Sequence, residues 1–358
     1  MQFIGPAAAS FSLCLLAMLA LRPVAFAVDL IDRPGGRKQH VGEVPVVGGL
    51  GMLLGITLGA GMLPLTVQTT GPLLGACALL TTVGLIDDRF DLSPWARLLA
   101  QITASALLIY GTGTSITSLG EPFGRPILLE GLPSYAITAL LMVAAINAFN
   151  MLDGMDGLAG ALAIVALCAI SVIAIQNGSM IALSMSLVII GAVAAFLLSN
   201  LPFAFNRNVR CFMGDSGSTL LGLSVAWLCI EVSQFSGPGI RPVTMLWVVA
   251  LPIFELCWTV IRRSARGIPP FRSDHGHLHH VVQRAGIGVQ GTFFLFVVFA
   301  AGLAIGGIAL DRAGASDALS LTLLVFAGVF VVSLFYRPEI LLRFVPIKFR
   351  RPHRVVSN

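Results

Sequence analysis

The chain has 358 residues, a formal net charge of +5, 56% hydrophobic residues and only 11% charged ones, with a mean hydropathy of +0.91. A soluble domain carries about 25% charge, so this composition leaves too little polar surface to wrap a soluble core. Apolar runs of about 18 to 22 residues recur, long enough to cross a bilayer as helices and too continuous for the alternation of a membrane barrel.

In chain order, the pattern predicts an all-α polytopic membrane protein with about eleven transmembrane helices. They fall at roughly 5–27, 46–66, 71–87, 96–112, 134–150, 157–177, 180–200, 217–236, 242–262, 290–311 and 318–336. The first run has no Lys or Arg before Arg22, which argues against a cleaved signal peptide. The loop at about 113–133 contains Gly120-Glu121-Pro122 and Gly124-Arg125-Pro126 and predicts a turn or small hairpin. Gln176-Asn177-Gly178-Ser179 separates the sixth and seventh spans, as a turn signal does. Five of the six cysteines lie in apolar runs, and Cys211 has no CxxC partner; neither a zinc site nor a disulfide framework is expected. No internal repeat is visible, so residues 1–358 read as one domain with a basic tail at 337–358.

Basic residues set the orientation. One set of alternate loops, with the tail, holds 18 of the 22 Lys and Arg residues, whereas the other holds Arg125, Arg241 and Arg312. The positive-inside rule places the rich set in the cytoplasm and the N-terminus in the periplasm. The positive charge is then an orientation signal and not a nucleic-acid surface. All six histidines and the Asp clusters fall on the cytoplasmic face.

Four segments there carry chemistry. The third span ends in Asp87-Asp88-Arg89-Phe90-Asp91, where Asp88 and Asp91 share a face if helical. The bland alternative is a solvated helix end with a salt bridge to Arg89 or Arg97. After the fifth span, Asn150-Met151-Leu152-Asp153-Gly154-Met155-Asp156-Gly157 pairs two carboxylates with glycines that allow close approach. Phe212-Met213-Gly214-Asp215-Ser216-Gly217-Ser218 opens the eighth span. Its helix N-terminus suits phosphate, although Ser216 or Ser218 could serve simply as an N-cap. His275-Gly276-His277-Leu278-His279-His280 lacks an accompanying Cys and reads as an anion-binding turn more readily than as zinc. A first loop with Arg37, Lys38 and His40 adds basic groups, and Glu255 is a carboxylate within a span. Hard oxygen donors such as Asp favour Mg²⁺ or Mn²⁺. Such an ion beside basic groups suits a pyrophosphate, with a lipid as the second substrate.

Five strings together resemble the polyprenyl-phosphate N-acetylhexosamine-1-phosphate transferase family: RKQHVGEVPVVGG, GLIDDRFDLS, INAFNMLDGMDGL, FMGDSGSTL and PPFRSDHGHLHH. Among its members, the bacterial UDP-GlcNAc:undecaprenyl-phosphate transferases are most similar. The resemblance implies transfer of GlcNAc-1-phosphate from UDP-GlcNAc to undecaprenyl phosphate in the bacterial inner membrane, releasing UMP. That would be the first membrane step of an envelope polysaccharide such as O-antigen. It implies catalytic roles for Asp87, Asp88, Asp153, Asp156 and Asp215, with Asp156 and Asp215 as the metal ligands. Substrate contacts would come from Lys38, His40, Asn150, Phe212, His275, His277, His279 and His280. A homodimer is an open assembly. His275 stands where the family often has Arg, and the Lys-x-Gly-Thr-Pro loop of the related MurNAc-pentapeptide transferases is absent. An ion-coupled transporter would place its acids at the midplane and show repeats; a scaffold would have no use for the acidic and histidine motifs.

Overall fold

The computed structural model describes residues 3–33, 42–201, 211–235, 240–267, 276–337 and 340. Among these, the chain is almost entirely helical. It runs through α1 (Ile4–Ala27), a two-residue antiparallel pair β1 (Ile31–Asp32) and β2 (Val44–Pro45), α2 (Gly48–Gly61), α3 (Val67–Phe90) and α4 (Pro94–Thr112). It continues through α5 (Leu132–Leu152), α6 (Leu158–Asn177), α7 (Met180–Asn200), α8 (Gly214–Ser233), α9 (Pro242–Val248), α10 (Ala250–Ala265), α11 (Leu278–Arg284), α12 (Val289–Arg312) and α13 (Asp317–Tyr336).

Local chemistry sets the ends. Ser93 caps α4 by accepting the Ala96 N–H, and Pro94 opens the first turn, where its missing donor costs nothing. Gly178, at φ +83°, closes α6 and Ser179 caps α7, so the expected break between these spans is present. The loop before α5 is the expected hairpin: Leu119 and Ile127 pair around the tip, and Leu129 N–H donates to Thr117. Gln234, just past α8, accepts from the Thr117 and Ser118 backbone and pins the hairpin down.

Helix α8 is the axis. Within its apolar window 89% of residues are buried, against 28% for α1, α12 and α13. The outer helices present large apolar side chains outward, including Leu16, Val298, Ile305, Phe326 and Phe330, as lipid-facing helices do. Small residues bring the inner helices together. A Cβ on Gly84 would collide with the α8 backbone at Ser216, and one on Gly222 would meet the Ile146 Cα at 2.6 Å.

Among the described residues, eight helices are long and apolar enough to cross a membrane, and α9 with α10 make a ninth if a break is allowed. The other two expected spans fall on α2 and α4. At 14 residues, α2 is about 21 Å long, short of a ~30 Å hydrocarbon core. The expected span over 242–262 is present as a broken one: α9 and α10 meet at 78° around Val249. Pro252 explains the break, because it cannot donate to the Val248 carbonyl and its ring crowds that oxygen.

Candidate active site

One end of the bundle gathers those of the singled-out residues that are described. Asp87 and Asp88 close α3 and part company there, Asp87 buried and Asp88 exposed. Asp87 Oδ1 accepts the Leu92 N–H at 2.7 Å, and its Oδ2 pairs with Arg97 Nη1 at 3.1 Å. The same Arg97 nitrogen lies 3.4 Å from Asp215 Oδ2. Arg97 therefore links the first acidic motif to the third, a role the sequence offered only as a salt bridge. Arg89 instead lies over the Phe90 ring. Asp91 does not share a helix face with Asp88, because the helix ends at Phe90 and Asp91 is left-handed at φ 51°.

The start of α8 is built differently from the expected phosphate cradle. Asp88 Oδ1 accepts the Asp215 backbone N–H at 2.9 Å, so a carboxylate from α3 already occupies part of the helix N-terminus. Neither serine is the N-cap: Ser216 Oγ donates to the Met213 carbonyl and Ser218 Oγ to that of Gly214. Asn150, at the end of α5, donates to Asp215 Oδ1 at 2.7 Å and to Ser218 Oγ at 3.0 Å. Phe212 is zipped to the first loop: its N–H donates to Pro45 O and its carbonyl accepts the Gly48 N–H.

Asp153 and Asp156 lie in the turn joining α5 to α6. Asn200, buried at the end of α7, accepts the Gly157 N–H at 2.6 Å and donates to the Cys211 carbonyl at 2.8 Å. One side chain thus ties the Asp153–Gly157 turn to the segment before α8. Burial pushes the Asp153 carboxyl well above the usual carboxylate range, and the neighbouring charges of Asp215, Asp88 and Asp156 push the same way.

The histidines dock on this turn through α11. His279 is fully buried, and a Cβ on Gly154 would meet its Nε2 at 2.8 Å. Gln283 Nε2 reaches the Met155 sulfur at 3.0 Å. Neither ring nitrogen of His279 has a hydrogen-bond partner among the described residues, and burial holds its pKa well below 6.5. The His277 and His279 rings stack 5.7 Å apart, and the His280 ring lies 4.2 Å from that of His279. His277 Nδ1 meets Glu255 Oε1 at 2.8 Å. Lys38, His40 and His275 lie outside the described residues.

Asp153, Asp156 and Asp215 offer oxygen donors only, and crowding of like charge around Asp153 suits a hard divalent ion. Among the described residues, no three His, Cys, Asp or Glu side chains are drawn into one metal-holding group. The fit is therefore one of donor chemistry and charge.

Fold and site together define a polytopic helical membrane protein with an acidic, histidine-flanked centre at one end of the bundle. Residues 71–233 match a family described as glycosyl transferase family 4. Relatives named undecaprenyl-phosphate alpha-N-acetylglucosaminyl 1-phosphate transferase cover most of the chain. That of Yersinia pestis is 32% identical over 295 residues, 82% of this chain and 80% of its own. That of Escherichia coli K12 is 35% identical over 293 residues, again 82% and 80%. The Haemophilus influenzae protein is 34% identical, covering 82% of both chains. The chain belongs to this family of glycosyl transferases.

Proposed function

We propose that the chain transfers GlcNAc-1-phosphate from UDP-GlcNAc to undecaprenyl phosphate, with its site on the cytoplasmic face of the bacterial inner membrane. A phosphate oxygen of the lipid attacks the sugar-linked phosphorus, the bond to UMP breaks, and GlcNAc-diphosphoundecaprenol stays in the membrane. The observation that carries this reading is the convergence of Asp87, Asp88, Asn150 and Asp215 at the start of α8. The family's relatives, named for the same transfer, support it.

The residues divide by task. Asp156 and Asp215 are the side chains that would hold Mg²⁺ or Mn²⁺, whose charge would offset repulsion between two phosphate groups. Asp87 and Asp88 flank the lipid phosphate. Asn150, Asp153 and Phe212 line the nucleotide pocket. His277 and His280 face the sugar diphosphate, while the buried His279 seats the turn on Gly154. Lys38, His40 and His275 complete the donor side.

The test is a donor panel. Purified protein with undecaprenyl phosphate and Mg²⁺ is offered UDP-GlcNAc, UDP-GalNAc or UDP-MurNAc-pentapeptide, and UMP release is followed. UDP-GlcNAc is expected to be turned over fastest, and Asp156→Asn and Asp215→Asn to lose at least about 100-fold, the scale of removing a transition-state charge contact. Preference for another donor would reassign the sugar, and full activity in both variants would remove the metal assignment.

A further inference from the structure

We infer that Glu255 is a positioning residue that fixes the tautomer and orientation of His277 and, through it, the whole histidine turn. The inference deepens the proposed transfer reaction and rests on it for the identity of the donor. Glu255 is in α10, the second half of the broken span, and has no exposed surface. Its Oε2 accepts the Leu278 N–H at 3.0 Å, and its Oε1 accepts the Thr259 hydroxyl at 3.2 Å and meets His277 Nδ1 at 2.8 Å. A carboxylate can only accept hydrogen bonds. With Glu255 as the carboxylate, the proton in the third contact belongs to Nδ1, which leaves Nε2 as the His277 nitrogen able to accept from a ligand.

The contact has consequences down the turn. The Leu278 N–H bond anchors the first residue of α11, and the Trp258 indole on α10 donates to the Gly276 carbonyl at 3.0 Å. His277 stacks on His279, and His279 packs on Gly154, next to Asp153. One buried carboxylate in α10 thus sets a ring that is two contacts from the acidic turn. An amide at this position would carry one acceptor and an NH₂ group. It could not accept from both Nδ1 and the Leu278 N–H through separate oxygens, so it favours the other tautomer.

The experiment combines a double-mutant cycle with histidine-selective ¹⁵N spectra of the full chain in nanodiscs. Glu255→Gln is expected to lower kcat/KM for the UDP-N-acetylhexosamine that the wild type uses by about 10- to 100-fold, the usual scale for a carboxylate orienting a histidine. In a His277→Ala background the same change is expected to cost less than about twofold, because residues acting as a unit are not additive. In the spectra, the His277 signal, assigned by its loss in His277→Ala, is expected to show a protonated Nδ1 that Glu255→Gln abolishes. Equal losses in both backgrounds, or an unprotonated Nδ1 in the wild type, would overturn the inference. A wild type inert toward every donor would overturn the reaction instead, and the spectra would still decide the contact. If Glu255→Gln does not fold, the wild-type Nδ1 signal decides alone.

Discussion

Asp153 is a residue whose charge is costly in this site. Its carboxyl is pushed well above 3.8 by burial first and then by Asp215, Asp88 and Asp156. In the unfolded chain it ionises near 3.8. Between that value and its raised value in the fold, the folded chain holds a proton that the unfolded chain has lost. Stability therefore falls as pH rises through that window and stays lower above it. Asp153→Asn is expected to raise the melting temperature at pH 7.5 in the presence of a chelator while transferase activity falls. A melting temperature equal to or below that of the wild type would contradict this. His279 titrates the other way. Buried and neutral, it resists the proton that the unfolded chain takes up below about pH 6.5, so acidification destabilises the fold through this group. The acidic and histidine residues were legible from the sequence as a set, because Asp and His are rare in apolar runs. Of their partners, only Arg97, ten residues from Asp87, was legible. Arg97 lies 118 residues from Asp215, and nothing in a local window reports that distance closing.

At the scale of elements, the site is a seam between helix ends held by buried hydrogen bonds. Asn200 shows how much one side chain carries. Asn200→Ala leaves the Gly157 N–H and the Cys211 carbonyl without that partner, at about 1–3 kcal/mol for each buried group left unpaired. A clear drop in melting temperature is expected, with loss of UMP release because the Asp153–Gly157 turn is no longer tied to the start of α8. An unchanged melt would show that water or another group replaces the amide. The sequence marked Gly154 and Gly157 as sites of close approach but not what approaches. Gly154 is small because His279 from α11 sits against it. The bend at Val249 is the element-scale feature that periodicity could not show. A hydropathy window averages across Pro252 and reads one span where the backbone turns by 78°.

Across the whole molecule, burial sorts the helices: α8, α6 and α7 are mostly interior, while α1, α12 and α13 show apolar faces outward. The outward faces need lipid, and the polar pairs at the two ends need water or each other. The far end is tied by Arg241 with Asp317 and by Gln234 with the hairpin. The proposed orientation puts that end outside. A reporter active only outside the cytoplasm, inserted after Gly124, and a cytoplasm-only reporter fused after Asn358 are both expected to be active. The opposite pattern would invert the topology.

Sequence alone determined that this is a helical membrane protein, where its connecting turns fall other than the bend at Val249, and which residue types are the candidates for its chemistry. These follow from composition, local turn preference and the cost of burying charge, all of which act over a few residues. The tertiary structure decided the rest. It placed Asp88 on the α8 N-terminus, Arg97 between two carboxylates and Glu255 under His277, because each of these contacts joins segments of 10 to 127 residues' separation. Only the packing of whole helices, allowed by glycines such as Gly84 and Gly154, brings such segments within hydrogen-bond reach.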